Sequence, residues 1–379
     1  MDCWRAPFLL SHSAVLKASE AGSCDGDQPC NAGAALRGAA SQAPTAPTSR
    51  VSESQGWVPL GPLPVDEAGT TGRGYQAPPD GAGLVEPGRN QIALHLAAAN
   101  YLYGEERAGF RIAEKFETHT AAIEFRRGFS NRVLRRFELG GQLQVHRNTE
   151  GFLNGFIGGF EKLVARTTGH QSAVNTLRTD LSRDWPLINL VEKDGQDFYR
   201  REGPVSGLGD VALFVRTALT GDPSAGSATL AARVMVNIAG SEALTSGNYV
   251  SAGLSASKRV LGWLALHGDA RVSLPIDRDN RAGLPLKRGT VGAMGAAEFR
   301  VSQKTSLDLQ FDVNGTPYAA TGTRAFDRPY SAIELGISRL WGNRVLTQLY
   351  GRENMNMRPM QVQPNLDPDF SVGIKLTIR

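Results

Sequence analysis

The chain has 379 residues, with 41 Lys and Arg against 37 Asp and Glu, so the formal charge is only +4 and the two signs are mixed along its length. That balance excludes the single-sign basic face a nucleic-acid-binding protein needs, and no nucleic acid is expected as a partner. The three cysteines, Cys3, Cys24 and Cys30, precede everything else of interest, which excludes disulfides, thiol nucleophiles and thiolate metal sites from the rest of the chain.

The N-terminal stretch "WRAPFLLSHSAVLKA" has an arginine and a short apolar run, but Ser11, His12 and Ser13 interrupt it and make it a poor signal peptide. "AGSC", ending at Cys24, loosely resembles a lipoprotein cleavage box without a preceding hydrophobic core. A misassigned start codon is the competing expectation. Residues 1–56, rich in Ala, Ser, Gly and Pro, read as a disordered or targeting segment, because that composition cannot bury a core. Residues 57–89 form a Pro/Gly-rich segment that reads as loop, and order is expected to begin near Asn90.

From there the chain alternates apolar and polar residues with a period of two, over about twelve stretches. The first covers 91–103, with Ile92, Leu94 and Leu96 on one face, and the second 117–127, with Ala121, Ile123 and Phe125 together. The third is "RVLRRFELGGQLQVH", the fourth "GDVALFVRTAL", the fifth "ATLAARVMVNI", the sixth "NYVSAGLSAS" and the seventh "WLALHGDARVSL". "VGAMGAAEFRV", "TSLDLQFDVNG", "SAIELGISRLW", "RVLTQLYGRE" and "FSVGIKLTIR" complete the set. No apolar run reaches the roughly 18 residues of a transmembrane helix, so the alternatives are a soluble β protein and a membrane β-barrel.

The connections discriminate between them. Links after even-numbered stretches are mostly tight, whereas links after odd-numbered ones are longer, the third spanning about sixty residues. Segregated short turns and long loops are what an outer-membrane barrel has; a soluble sandwich has no reason for them. The polar face carries Glu124, Arg126, Arg136, Glu138, Arg216, Arg233, Asp269, Arg271, Glu298, Arg300, Asp308, Asp312 and Glu334, too many charges for a soluble core but suitable for a wet lumen. The opposite face is almost entirely Leu, Val, Ile, Ala, Gly and Phe, except Arg135 and Arg339. Phe125, Phe299 and Trp341 stand on it near the short-turn end as a thin aromatic girdle, with Phe370 at the other end. The terminal "SVGIKLTI" fits the signal read by barrel-assembly machinery, though it ends in Arg379 rather than an aromatic. The fold expectation is therefore all-β: a transmembrane antiparallel β-barrel over 90–379, with short periplasmic turns, long extracellular loops and outer-membrane lipid around it.

"GFLNGFIGGFEKLVA" at 151–165 breaks the pattern. Phe152, Phe156 and Phe160 recur at helical spacing with Leu163 and Val164, which reads as a loop-borne helix. It serves either as structural fill or as a plug or gate over the lumen.

"GPLP", "RNQIALHL", "GFLNGFIGGF", "GLGDVALFVR" and "TGDPSAG" resemble the hallmark segments of a Gram-negative bacterial family known only as a domain of unknown function, number 3187. The resemblance covers about residues 59–379 and implies an outer-membrane barrel; the "GLGD…TGDPSAG" portion is also similar to the phenol meta-pathway barrels. It implies no activity and no site residues. The insert "VDEAGTTGRGYQAPPDGAGLVEP" departs from the family's shorter gap.

Enzymatic chemistry finds little support. A lipid hydrolase of the outer membrane needs a Ser/His pair on the lipid side. His95, His146 and His267 fall on the polar face, His12 and His170 in loops, and His119, the one on the lipid side, has no serine at matching height, since Ser130 and Ser331 are distant. "DRDN" at 277–280 lacks calcium-loop spacing, and the glycines of "GPVSGLG" precede no helix. No catalytic residue, metal or cofactor is expected. The reading is a narrow channel or small-solute pore; a closed barrel with a structural or surface-interaction role is the alternative, ahead of a lipid hydrolase or a soluble β-sandwich.

Overall fold

In a strand with strict alternation, one face must be solvated differently from the other, and which face is buried decides the architecture. Along Thr305–Asn314, Phe311 is 41% exposed and its neighbour Asp312 only 2%. Leu307, Leu309 and Val313 share the exposure of Phe311, whereas Ser306, Asp308, Gln310 and Asn314 are buried with Asp312. The apolar face points outward and the polar face inward, the reverse of a soluble protein.

The computed structural model describes residues 57–64, 77–153, 155, 159, 187–220, 228–241, 247–279, 284–355 and 368–379. Residues 1–56, with the targeting reading placed on them, lie outside these. The strands are β1 (Asn90–Arg107), β2 (Phe110–Gly128), β3 (Phe137–Thr149), β4 (Ile188–Lys193), β5 (Gln196–Glu202), β6 (Val205–Thr220) and β7 (Thr229–Ile238). They continue with β8 (Tyr249–Leu261), β9 (Leu264–Pro275), β10 (Thr290–Ser302), β11 (Thr305–Asn314), β12 (Tyr330–Trp341), β13 (Val345–Asn354) and β14 (Phe370–Ile378). One antiparallel sheet contains all fourteen. Twelve close a ring, because β1 pairs with both β2 and β14, while β4 and β5 stand outside it. Closure removes every edge from the ring itself, so its backbone groups are satisfied without solvent.

The tight turns Gly262–Trp263 and Gln303–Lys304 and the link 342–344 lie at one end of the barrel, and the strand ends that flank 276–289, 315–329 and 355–369 at the other. Two expectations are corrected here. The first connection is not a long loop: β1 and β2 run on and meet at Ala108–Gly109, with φ of 54° and 77°, the left-handed pair of a tight hairpin turn. The third connection contains a hairpin, β4–β5, paired through β4 to Phe110–Lys115 of the extended β2. Ile188, Leu190 and Val191 are all fully buried, so the period of two that marks the barrel strands is absent from β4.

Beyond the barrel, the extended β1–β2 ladder, β4 and the connections before β10 and β12 share a buried apolar cluster that includes Tyr103, Phe110, Ile112, Val191, Leu284, Tyr318 and Phe326. The stack of Tyr318 on Phe326, edge to face with centroids 4.8 Å apart, ties the one-turn helix Arg324–Asp327 into it. At the short-turn end Trp263 stacks on Phe299 at 6.2 Å and Arg339 lies 4.2 Å over Trp341, which gives the girdle a member, Trp263, beyond those expected.

Candidate functional site in the barrel lumen

Inward-pointing residues of successive strands lie at matched heights in the antiparallel register, so charges from neighbouring strands meet. Arg271 reaches Asp269 of its own strand at 3.0 Å and, across Gly292 of β10, Asp312 of β11 at 2.6 Å. Arg352 contacts Glu334 at 3.3 Å, His267 contacts Glu298 at 3.1 Å, and Ser338 donates to Asp308 at 2.7 Å. Glu124, Glu138, Arg216, Arg233, Asp269, Arg271, Glu298, Asp308, Asp312 and Glu334 are all buried on this inner face. The Arg126 side chain is 12% exposed, and Arg300 is half-buried near the short turn, its guanidinium 3.4 Å from the Gly262 carbonyl.

Arg136 does not belong with them. It is exposed in the link 129–136 before β3, which begins at Phe137 rather than at Arg132. Phe152 is also displaced from its expected place over the lumen. It is 61% exposed and its ring lies 6.0 Å from His119, whose neighbours Ala121 and Ile123 mark the outward face. The next amide, that of Leu153, donates to Glu117 on the same outward side at 2.7 Å. Phe156 and Phe160 lie outside the described residues.

The lumen is occupied instead by the Pro/Gly-rich strap that precedes β1, so order begins well before Asn90. Pro59, Pro62 and Pro64 lack N–H groups, and the amides of Leu60, Gly61 and Leu63 are taken by the wall, which lowers the burial cost of the strap's backbone. Glu298 accepts from the amides of Leu60, at 2.8 Å, and Gly61, at 3.1 Å. Gln310 accepts from the Leu63 amide at 3.0 Å, while Gln348 donates to the Pro62 carbonyl at 3.1 Å and Arg259 to that of Trp57 at 2.9 Å. Leu63 packs on Tyr350, above Gly336, where any Cβ would strike it.

The returning limb, Ala77 to Arg89, lies against β2, β3, β6 and β7. Ala77 packs with Phe214, Met235 and Tyr249, and Val85 donates its amide to Glu138 at 2.6 Å. Asp80 lies among three guanidiniums: Arg216 Nε at 3.2 Å, Arg126 Nη1 at 3.4 Å and Arg233 Nη1 at 3.5 Å. Burial pushes the Asp80 carboxyl up, but these arginines, with Lys375, outweigh it and hold it well below the usual carboxylate range. Beside both limbs a cavity of about 1530 Å³ extends to the short-turn mouth, where Arg135, Arg136, Lys258, Arg259 and Arg344 line it.

Similarity to solved structures agrees with this architecture. An outer-membrane channel from Pseudomonas putida F1 superposes with a TM-score of 0.50 at 13% identity, over 78% of this chain and 97% of that one. The NanC porin gives 0.41 at 8% identity, over 76% of this chain and 99% of its own, and the KdgM porin 0.39 at 8%, over 76% and 98%. No protein-family model and no curated protein matches the chain. The fold is that of an outer-membrane β-barrel. Among the described residues no helix is long and apolar enough to cross a membrane, which says nothing of a β-barrel.

Sequence reasoning missed the strap and Asp80, because "APPDGAG" reads as a turn and its partners lie 46 or more residues away. It also missed Lys375 and Arg352, which the inner face pairs with Glu124 and Glu334. Their inward parity on β13 and β14 was the available signal.

Proposed function

We propose that the protein is an outer-membrane channel for small polar solutes, plugged from its short-turn, periplasmic end by its own residues 57–64 and 77–89. The observation that carries this is the way the strap is held. Its backbone amides are bound by Glu298, Gln310 and Glu138 of the wall through polar contacts that water can replace, beside a cavity reaching the mouth. A barrel with a purely structural role is better served by an interior packed from its own wall. The outward position of Phe152 favours the strap over the segment 151–165 as the plug. Membership of family 3187, residence in the outer membrane, insertion by the barrel-assembly machinery and a non-enzymatic role are parts of the same proposal.

Planar-bilayer recordings on the refolded full chain and on a chain lacking 57–86 test it. The shortened chain is expected to conduct steadily, and the full chain weakly or in brief openings. If a shortened chain with heat-modifiable mobility conducts no more than the full one, the barrel is closed by other means and the structural alternative stands.

A further inference from the structure

The charges around Asp80 do not balance without it. On the barrel wall Glu124 is shared by Arg126 and by Lys375, the latter at 3.2 Å, and Glu138 by Arg216 at 2.9 Å and Arg126 at 3.5 Å. Among the described residues Arg233 forms no ion pair with a wall carboxylate; its hydrogen bonds go to Asp80 and, at 2.6 Å, to the Pro78 carbonyl. Arg126, Arg216 and Lys375 thus divide two carboxylates among them, and the wall carboxylate whose charge bears most on Arg233, Asp269, is held by Arg271 at 3.0 Å. Asp80 returns one negative charge, and the Pro78 and Gly81 carbonyls add oxygen acceptors to Arg233 and Arg216. The strap offers three guanidiniums a cluster of oxygens around a single anion, which is what a multi-oxygen anion presents to arginine forks.

Resting on the channel reading, we propose that Arg126, Arg216 and Arg233 form a lumen site for small oxyanions of charge −2, phosphate-like in shape. Asp80 is its tethered occupant, and a solute of this class competes with it for the site and so releases the strap. The three guanidinium forks present more donors than the two oxygens of the Asp80 carboxylate can accept, so a four-oxygen dianion fills them better than the carboxylate does. The basic residues at the cavity mouth raise the local concentration of such a solute. A tethered group competes at an effective concentration of the order of millimolar, so removing its charge exposes the site to free ligand.

Titration calorimetry with inorganic phosphate in detergent, using the full chain, Asp80→Asn, Asp80→Asn/Arg233→Gln and the chain lacking 57–86, tests this. Arg233 is the chosen partner because its loss strips no wall carboxylate of a hydrogen bond. Asp80→Asn and the shortened chain are expected to bind phosphate about tenfold more tightly than the full chain, because the tethered carboxylate no longer competes for the guanidiniums. The added Arg233→Gln should abolish the gain. Equal affinity in all four, or a gain that survives Arg233→Gln, overturns the site. Heat-modifiable mobility of each variant establishes that it is folded, and the shortened chain supplies the same comparison if Asp80→Asn does not refold. Conductance is read separately: a shortened chain that conducts without any gain in phosphate affinity keeps the channel and rejects the anion site. A gain without conductance keeps the site and rejects the channel.

Discussion

Gly373 shows how a single hydrogen can govern the inside of this barrel. A Cβ at that position would run into the ring of Tyr350, whose hydroxyl bonds His95 at 2.9 Å and whose face holds Leu63 of the strap. Gly373→Val is therefore expected to displace the ring, costing about 1–3 kcal/mol as overpacking does, and to lower the temperature at which the unboiled gel band disappears. Gly295 is the control: it is exposed on the outward face of β10 with nothing within 4 Å of where a Cβ would stand, so Gly295→Ala should leave that temperature unchanged. Equal melting of both variants would show that Tyr350 is not fixed by its neighbours. At this scale alternation made most of the inner face legible, because a strand's parity assigns Asp312 and Phe311 to opposite sides wherever the strand lies. It failed at Arg136, where "RVLRRF" keeps a plausible alternation through a turn, and at Asp80, whose role comes from contacts that no local pattern encodes.

Elements outside the regular ladder depend on turns and anchors rather than on periodicity. The tip of β1–β2 needs a positive φ at Gly109, and a Cβ there would meet the Asp194 carboxylate of the adjoining β4–β5 turn, whose amide donates to the Gly109 carbonyl at 2.8 Å. Gly109→Val should fray both tips, by about 1 kcal/mol or more from backbone conformation alone, and make them sites of limited proteolysis while the barrel's melting stays as it was. Lost barrel stability would instead mean that the extension belongs to the closed ring. For the strap, Glu298→Gln keeps the side-chain shape but turns an amide toward the Leu60 and Gly61 N–H groups in place of one carboxylate oxygen. The Leu60 N–H, which reaches both carboxylate oxygens at 2.8 and 3.0 Å, then keeps one acceptor and faces a donor in place of the other, at a cost of about 1 kcal/mol. The expected result is faster protease cleavage between 57 and 64 in an otherwise intact barrel, and unaltered cleavage would place the strap's hold elsewhere. The strap and the hairpin escaped sequence reading for one reason: their backbone partners are wall side chains or a strand buried on both faces, and neither leaves a period of two.

The whole molecule is bound by a closed ring of ladders, and that ring is what the alternation of short and long connections foretold before any pairing was known. Closure through β1 and β14 means that no strand can peel away from an edge, so unfolding must break two ladders at once. A protein with this construction is expected to remain a barrel in cold detergent and to migrate on a gel as a compact species, shifting to its full apparent mass only after boiling. It should do so without a disulfide within the ring, since Cys3, Cys24 and Cys30 all precede β1 in the sequence. The same experiment discriminates the solvent on the outer face. Ile92, Leu213, Leu254, Val291 and Leu335 are each at least half exposed, and rows of such residues girdle the barrel between the aromatic residues of the short-turn end and the loops. In water a continuous apolar belt of that kind is far larger than the few hundred Å² that soluble monomers tolerate, and it would drive association. Recovery in the membrane fraction with a mobility shift on boiling therefore assigns lipid to the belt and water or ion pairs to the lumen. Recovery as a soluble monomer with no shift would require the belt to be covered by something else, and the channel and its strap would lose their physical basis together.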